Sequence, residues 1–260
     1  MTHKKYFPLL FYCLLLIGFC LLDGCYSNRQ IVIDDALNTG SERWKATVRN
    51  GSTAIGRTNF GPFNTISCSK LDSPKLKSRS DGIFSIHIFR NEQTKRKRKV
   101  YSLTTTLNMD TATALIQVWI TSASSEPGMI TLFGDHDSHP VSKSKTASGE
   151  ISINNDSFLW SFNINCYYLD PFKVSDSYNI TSGFLVSDYD TINISNASEF
   201  TDGKQGYGVS KGINLNNKTG QIAALQLIGD KYVWIRRDLP VKTQLVIATF
   251  FCAVLGTKDL

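Results

Sequence analysis

Three short stretches of this 260-residue chain carry residue types that could do chemistry. "GDHDSHP", 134–140, gathers Asp135, His136, Asp137 and His139, and two imidazoles with two carboxylates form a donor set for a divalent metal. Polar loops collect the same residues, and nothing else in the chain supplies an obvious further ligand. His136, Asp137 and His139 are therefore weak metal candidates, and no metal is expected. "GVSKG", 208–212, matches G-x-S-x-G, but a nucleophile elbow needs a strand, a sharp turn and then a helix. Here "INLNNKTG" follows and reads as strand and turn, with His87, His136 and His139 as the remaining possible bases. Asp188 and Asp190 in "SDYD" read as turn residues rather than calcium ligands. No Walker loop, H-E-x-x-H or dinucleotide fingerprint occurs, so no catalytic residue is assigned and no cofactor is implied.

The loudest feature is "TKRKRK", which sets Lys95, Arg96, Lys97, Arg98 and Lys99 side by side. Placed between two strands, it predicts a hairpin tip able to meet anionic headgroups, each charge being worth about 1 kcal/mol near a charged membrane. The bland reading is a solvated loop that blocks edge-to-edge association. Charge is distributed unevenly around it. Arg43–Lys99 holds fourteen Lys/Arg against three Asp/Glu, whereas Val100 onward holds eleven against fifteen. That asymmetry points to an anionic surface as partner. Nucleic acid is not expected, because no stacking aromatics interleave the run. Trp119, Trp160 and Trp234 read as core or rim residues rather than sugar platforms.

The elements that must position these residues are strands. In "VYSLTTTL" Tyr101, Leu103 and Leu107 share one side; in "ALIQVWIT" Ile116, Val118 and Ile120 do; "SFLWSFNINC" sets Phe158, Trp160, Phe162, Ile164 and Cys166 against polar neighbours. "FSIHIF", with His87 on its polar side, repeats the pattern. Ten to twelve antiparallel strands follow, with turns at "NND", "SDYD", "NNKTG" and "GD". The end differs. Leu245 to Leu255 is apolar all round except Thr249, with Asp238 as a predicted N-cap, Pro240 in the first turn and Gly256 as the stop. Such a helix must be surrounded, and eleven residues rise about 16 Å, near half of a bilayer's hydrocarbon core. The predicted fold is mainly β: an antiparallel barrel around a C-terminal hydrophobic helix, forming a single domain over 43–260. A β-sandwich interaction or carbohydrate-binding module is the alternative, with no enclosed helix and an exposed aromatic platform.

The N-terminus bears on location. "MTHKK" and the apolar "YFPLLFYCLLLIGFCLL" have the charge and length of a signal peptide, and "LDGC" after them resembles the lipobox of bacterial lipoproteins. The resemblance implies cleavage after residue 24, acylation (a palmitate-type anchor) at Cys25 and a polar tether over 25–42. The expected place is the cell envelope, lipid-anchored at the outer membrane or its periplasmic face, with anionic lipid or an envelope protein as partner. Asp23 departs from the usual residue before the last lipobox position. A plain secretory signal cut after Ser27 is the alternative, and six Asn-x-Ser/Thr sequons keep a glycosylated source open. With Cys25 lipidated, Cys68, Cys166 and Cys252 remain, either as one disulfide with a free thiol or as three buried thiols.

The tail carries a second resemblance. "TGQIAALQLIGDKYVWIRRDLPVKTQLVIATFFCAVLG", 219–256, orders a hairpin with a Gly-Asp turn, a strand, "DLPVK" and a small-and-apolar helix. This is similar to the tails of the tubby-like superfamily, which includes phospholipid scramblases and LURP-one-related proteins. The resemblance implies a barrel closed on its C-terminal helix and binding of phosphoinositides or anionic phospholipids through basic surface residues. It contains no catalytic motif and implies a non-enzymatic protein.

Overall fold

Apolar–polar alternation folds the body of the chain into a single antiparallel sheet. The computed structural model describes residues 29–49, 56–71, 90–127, 139–154, 159–167, 179–203 and 211–257, with backbone alone over 90–96, 122–127, 139–144, 166–167 and 179–181. Its strands are β1 (Ser41–Lys45), β2 (Thr47–Arg49), β3 (Arg57–Phe60), β4 (Phe63–Leu71), β5 (Arg90–Leu107), β6 (Asp110–Pro127) and β7 (His139–Ile153). The remainder are β8 (Leu159–Tyr167), β9 (Asn179–Val186), β10 (Thr191–Ala197), β11 (Gly212–Asn217), β12 (Gly220–Gln226) and β13 (Tyr232–Arg236). Helix α1 spans Asp35–Gly40 and helix α2 spans Val241–Gly256.

From β2 to β13 each strand pairs with the next, and β1 pairs with β13. Only Ala46 separates β1 from β2. The stretch 41–49 therefore touches both edges of the sheet, with Ser41–Lys45 against Arg236–Tyr232 and Thr47–Arg49 against Asn59–Arg57. The Ala46 amide bridges the interruption by donating to Lys231 O at 2.8 Å. This contact nearly closes the wall and leaves little free edge for association. The described residues form thirteen strands, one more than the upper expectation, because Ala46 divides one run into two. The sandwich alternative is excluded by the enclosed helix.

Every residue of α2 from Leu245 to Val254 is buried, and the helix packs on β3, β5, β6 and β7. Tyr101, Leu103, Ile116, Val118, Trp160, Phe162 and Ile164 line the wall around it, on the alternation read from the sequence. Thr249 is accommodated because its hydroxyl donates to Leu245 O at 2.7 Å. The wall opposite is thinned at Gly149. A Cβ there would stand 2.4 Å from Leu115 O and 2.5 Å from the Phe162 ring. The missing side chain lets Phe162 lean in and meet Phe250 edge-to-face, centroids 5.5 Å apart.

The helix begins differently from expectation. Pro240 is the N-cap, and Asp238 does not cap. Its carboxylate instead takes the guanidinium of Arg236, with Nε at 2.9 Å and the second nitrogen in contact. A charged fork two residues back outcompetes the backbone amides for that carboxylate. Gln244 ties down the entry by donating to Leu239 O at 2.8 Å and Arg237 O at 3.2 Å. Gly256 closes the helix as its last residue, with Thr257 as C-cap.

The predicted tether, 25–42, lies partly among the described residues. Residues 25–28 lie outside the described residues, but 29–40 pack on the outside of β12 and β13. Ile31, Leu37, Phe200, Ala224 and Trp234 form a second apolar cluster there. Gln226, fully buried, accepts from the Ile31 amide at 3.1 Å and donates to Arg29 O, Ile228 O and Asp230 O. Cys252 is a free, buried thiol and Cys68 is half-buried, whereas the Cys166 side chain lies outside the described residues. Among the described residues no helix is long and apolar enough to cross a membrane.

Candidate functional site

The barrel has two unlike ends. Tight turns at Asn108–Met109, Ser187–Asp190 and Lys218–Thr219 lie at one, where α2 enters. The other is a mouth, past which β5, β6 and β7 extend. Gly256, the last residue of α2, accepts from the Gly56 amide at 2.8 Å, next to the first residue of β3. The helix therefore points its carbonyl end, with its partial negative charge, toward the mouth.

The basic run stands in this extension. It is not a hairpin tip: Lys95 to Lys99 are interior residues of β5, paired in register with Ser122 to Val118 of β6. A strand sends successive side chains to opposite faces, so the run is divided. Arg98 is on the outer face. Its guanidinium donates to Gln117 Oε1 at 2.8 Å and lies over the Trp119 ring, 5.3 Å from the centroid. Lys97 and Lys99 are on the inner face, on the same alternation as the buried Tyr101 and Leu103; Lys97 is exposed and Lys99 half-buried. The side chains of Lys95 and Arg96 lie outside the described residues.

Neighbouring strands add to the inner face. Lys145 of β7 pairs with Ile120 of β6 and follows the alternation of Ala147 and Ile151; it is 3% exposed. Lys70 of β4 pairs with Tyr101 of β5, two residues beyond Cys68, which packs on the core. The inner wall thus changes from apolar to cationic at the mouth, with Lys70, Lys97, Lys99 and Lys145 around Val118 and Ile120. Lys70 and Lys145 were missed in the sequence. The signal was present in "KSKTASGEISI", where Lys145 falls on the alternation of Ile151 and Ile153.

The same end holds the incoming N-terminal segment. Arg29 Nε pairs with Asp202 at 3.1 Å and its guanidinium lies 5.9 Å from the Phe200 ring centroid. Lys211, which is buried, places its ammonium 4.3 Å from the same ring. Burial pulls the Lys211 pKa below the ordinary lysine range, against the opposing pull of Asp202. A cleft of about 430 Å³ opens nearby between Lys45, Ala46, Val48, Gly229, Asp230, Lys231 and Leu255. There Lys45 Nζ donates to Asp230 at 2.9 Å, and that bond raises the lysine's pKa.

The other predicted residues divide between bland settings and stretches outside the description. Cys25, His87, Asp135, His136, Asp137 and Ser210 lie outside the described residues. His139 is the first residue of β7 and its side chain is likewise outside. No group of three His, Cys, Asp or Glu suited to a metal occurs among the described residues. After Ser210 the chain enters β11, not a helix. Asp190 takes the Thr191 amide at 2.8 Å, and Ser187 Oγ takes the amides of Tyr189 and Asp190, as in a tight turn. Trp160 and Trp234 are buried and Trp119 is on the outer face under Arg98. The chain matches no family model, no curated protein and no solved structure.

Proposed function

We propose that this protein is a non-enzymatic envelope lipoprotein, acylated at Cys25, whose tubby-like barrel binds anionic phospholipid through its basic face. The observation that carries the reading is the setting of the basic run. Five consecutive cations are held in an antiparallel ladder with β6, so their spacing is fixed by backbone hydrogen bonds rather than by a flexible loop. Ordering those charges in advance removes an entropic cost from binding. The enclosed C-terminal helix supports the tubby-like kinship, and with it the lipid-side role. The test is binding to vesicles of 70% phosphatidylcholine and 30% phosphatidylglycerol at low salt. Changing Lys95, Arg96, Lys97, Arg98 and Lys99 together to Gln abolishes the preference for these vesicles over pure phosphatidylcholine. Unaltered binding sinks the reading. For the anchor, Cys25→Ser abolishes incorporation of a fatty-acid label; labelling that persists removes Cys25 as its site.

A further inference from the structure

We infer that the notch between β2 and the β12–β13 turn is a docking site for an extended acidic peptide, which adds a short strand beside Val48. Nothing in this site depends on the bilayer reading.

The wall stays open at this point for a reason that the backbone makes plain. Peptide groups of alternate strand residues face the same side, and the Ala46 amide donates to Lys231 O at 2.8 Å. Val48, two residues on, therefore turns its N–H and C=O the same way. Its partner agrees. Thr58, opposite Val48, donates its own amide to Thr65 Oγ1 at 3.3 Å and accepts from that hydroxyl at 2.8 Å. Thr58 is thus engaged toward β4, and it exchanges no backbone bond with Val48. On the other side β13 has run out. Its first residue, Tyr232, pairs with Lys45, and Gly229, at φ 68°, turns the chain away. Among the described residues the Val48 N–H and C=O have no partner. They face the cleft of about 430 Å³ that Val48 itself lines. An unpaired donor and acceptor on a strand edge form a template for strand addition.

Side chains around the notch define the peptide. Ala46, Val48 and Leu255 make its inner side apolar. Lys45 and Arg49, on the opposite alternation, are exposed on the outer face. Lys231 lies across the cleft from them. Arg49 is directly opposite the exposed Arg57, a like-charge pair that an anion between them would relieve. Asp230, the acid of the lining, is already held by Lys45 at 2.9 Å. A strand laid along Val48 would send one side chain inward onto Val48 and Leu255 and the next outward among the cations. The ligand is therefore an extended segment that alternates acidic and small apolar residues.

The probe is a fluorescein-labelled hexapeptide alternating Val and Glu, with a Val–Lys peptide as its control, followed by fluorescence anisotropy on the full chain carrying Cys25→Ser. The Glu peptide binds saturably, and the Lys peptide at least about tenfold more weakly. Val48→Pro deletes the donor that faces the notch but keeps the β2–β3 bonds, and it lowers affinity about tenfold at unchanged urea midpoint. Arg49→Gln and Lys231→Gln each lower it about threefold. The Val48 amide exchanges fast in the free protein, and saturating Glu peptide slows it at least about tenfold. That measurement decides the matter if Val48→Pro does not fold. Absence of Glu-peptide binding, a folded Val48→Pro chain that binds as well as the parent, or a Val48 amide already protected in the free protein overturns the site. Equal binding of the two peptides overturns its acidic preference. Displacement by inorganic phosphate at constant ionic strength would mark a site for a soluble anion, and dimerisation lost in Val48→Pro one for a second copy of the chain; either overturns the peptide assignment.

Discussion

Cys252 sits within the barrel among Thr58, Thr65 and Thr105, its thiol 3.9 Å from the Thr58 carbonyl oxygen. Burial pushes its pKa up to about 11, and the hydroxyls of Thr65 and Thr105 only partly oppose the shift. An unfolded cysteine ionises near its ordinary value, so between about pH 9 and 11 the unfolded chain loses a proton that the folded one keeps. Stability accordingly falls as pH rises through that window, by about 1.4 kcal/mol per pH unit. Urea titrations of wild type and Cys252→Ala at pH 8, 9, 10 and 11 check this: the variant shows a shallower alkaline decline. Parallel declines would mean that the thiol is not the group responsible. Gly149 makes the opposite kind of demand, for the absence of atoms. Gly149→Ala drives a methyl into Leu115 O and the Phe162 ring and costs about 1–3 kcal/mol, read as a lower urea midpoint at unchanged slope.

At the scale of elements, α2 is where the sequence speaks most clearly. A run apolar on every side has no stable place except inside, and its wall could be read from period-2 alternation at Tyr101, Leu103, Ile116, Val118, Phe162 and Ile164. Phe250→Ala or Phe251→Ala should each cost about 3–5 kcal/mol in equilibrium denaturation, because neither cavity can be refilled from solvent. A loss below 1 kcal/mol would mean that the rings are not enclosed. The helix start was less legible. Asp238 is a good cap by type, but Arg236 lies close enough to take its carboxylate. Nor could the setting of the basic run be read locally. Lys and Arg have little intrinsic strand preference, and the run becomes strand because β6 is long enough to partner it. Once strand was mistaken for loop, the division into Lys97 and Lys99 on one face and Arg98 on the other was lost with it. Lys70 and Lys145 join the site only through register, a property of paired strands that no single segment contains.

The whole molecule is held shut by contacts between its first and last described parts. Gln226 is the hinge point of the outer seam, tying Ile31 and Arg29 to the β12–β13 connection. Gln226→Ala leaves the buried Ile31 amide without its acceptor, at a cost of about 1–3 kcal/mol. Hydrogen exchange should rise at the amides of Ile31 and Val32 in that variant, while the amides of β6 and β7 keep their protection. Uniform loss of protection would show instead that the seam and the barrel melt as one unit. The closure by 41–49 has a consequence for how the chain reaches this state. β1 finds its partner only in β13, some 190 residues later, and the rod that fills the interior comes later still. During synthesis the earlier strands make a trough whose greasy lining has nothing to cover it, and such distant pairings form slowly. A growing chain cannot lock before Tyr232–Gly256 is available, so its lining needs shielding until the latch and its filling arrive together.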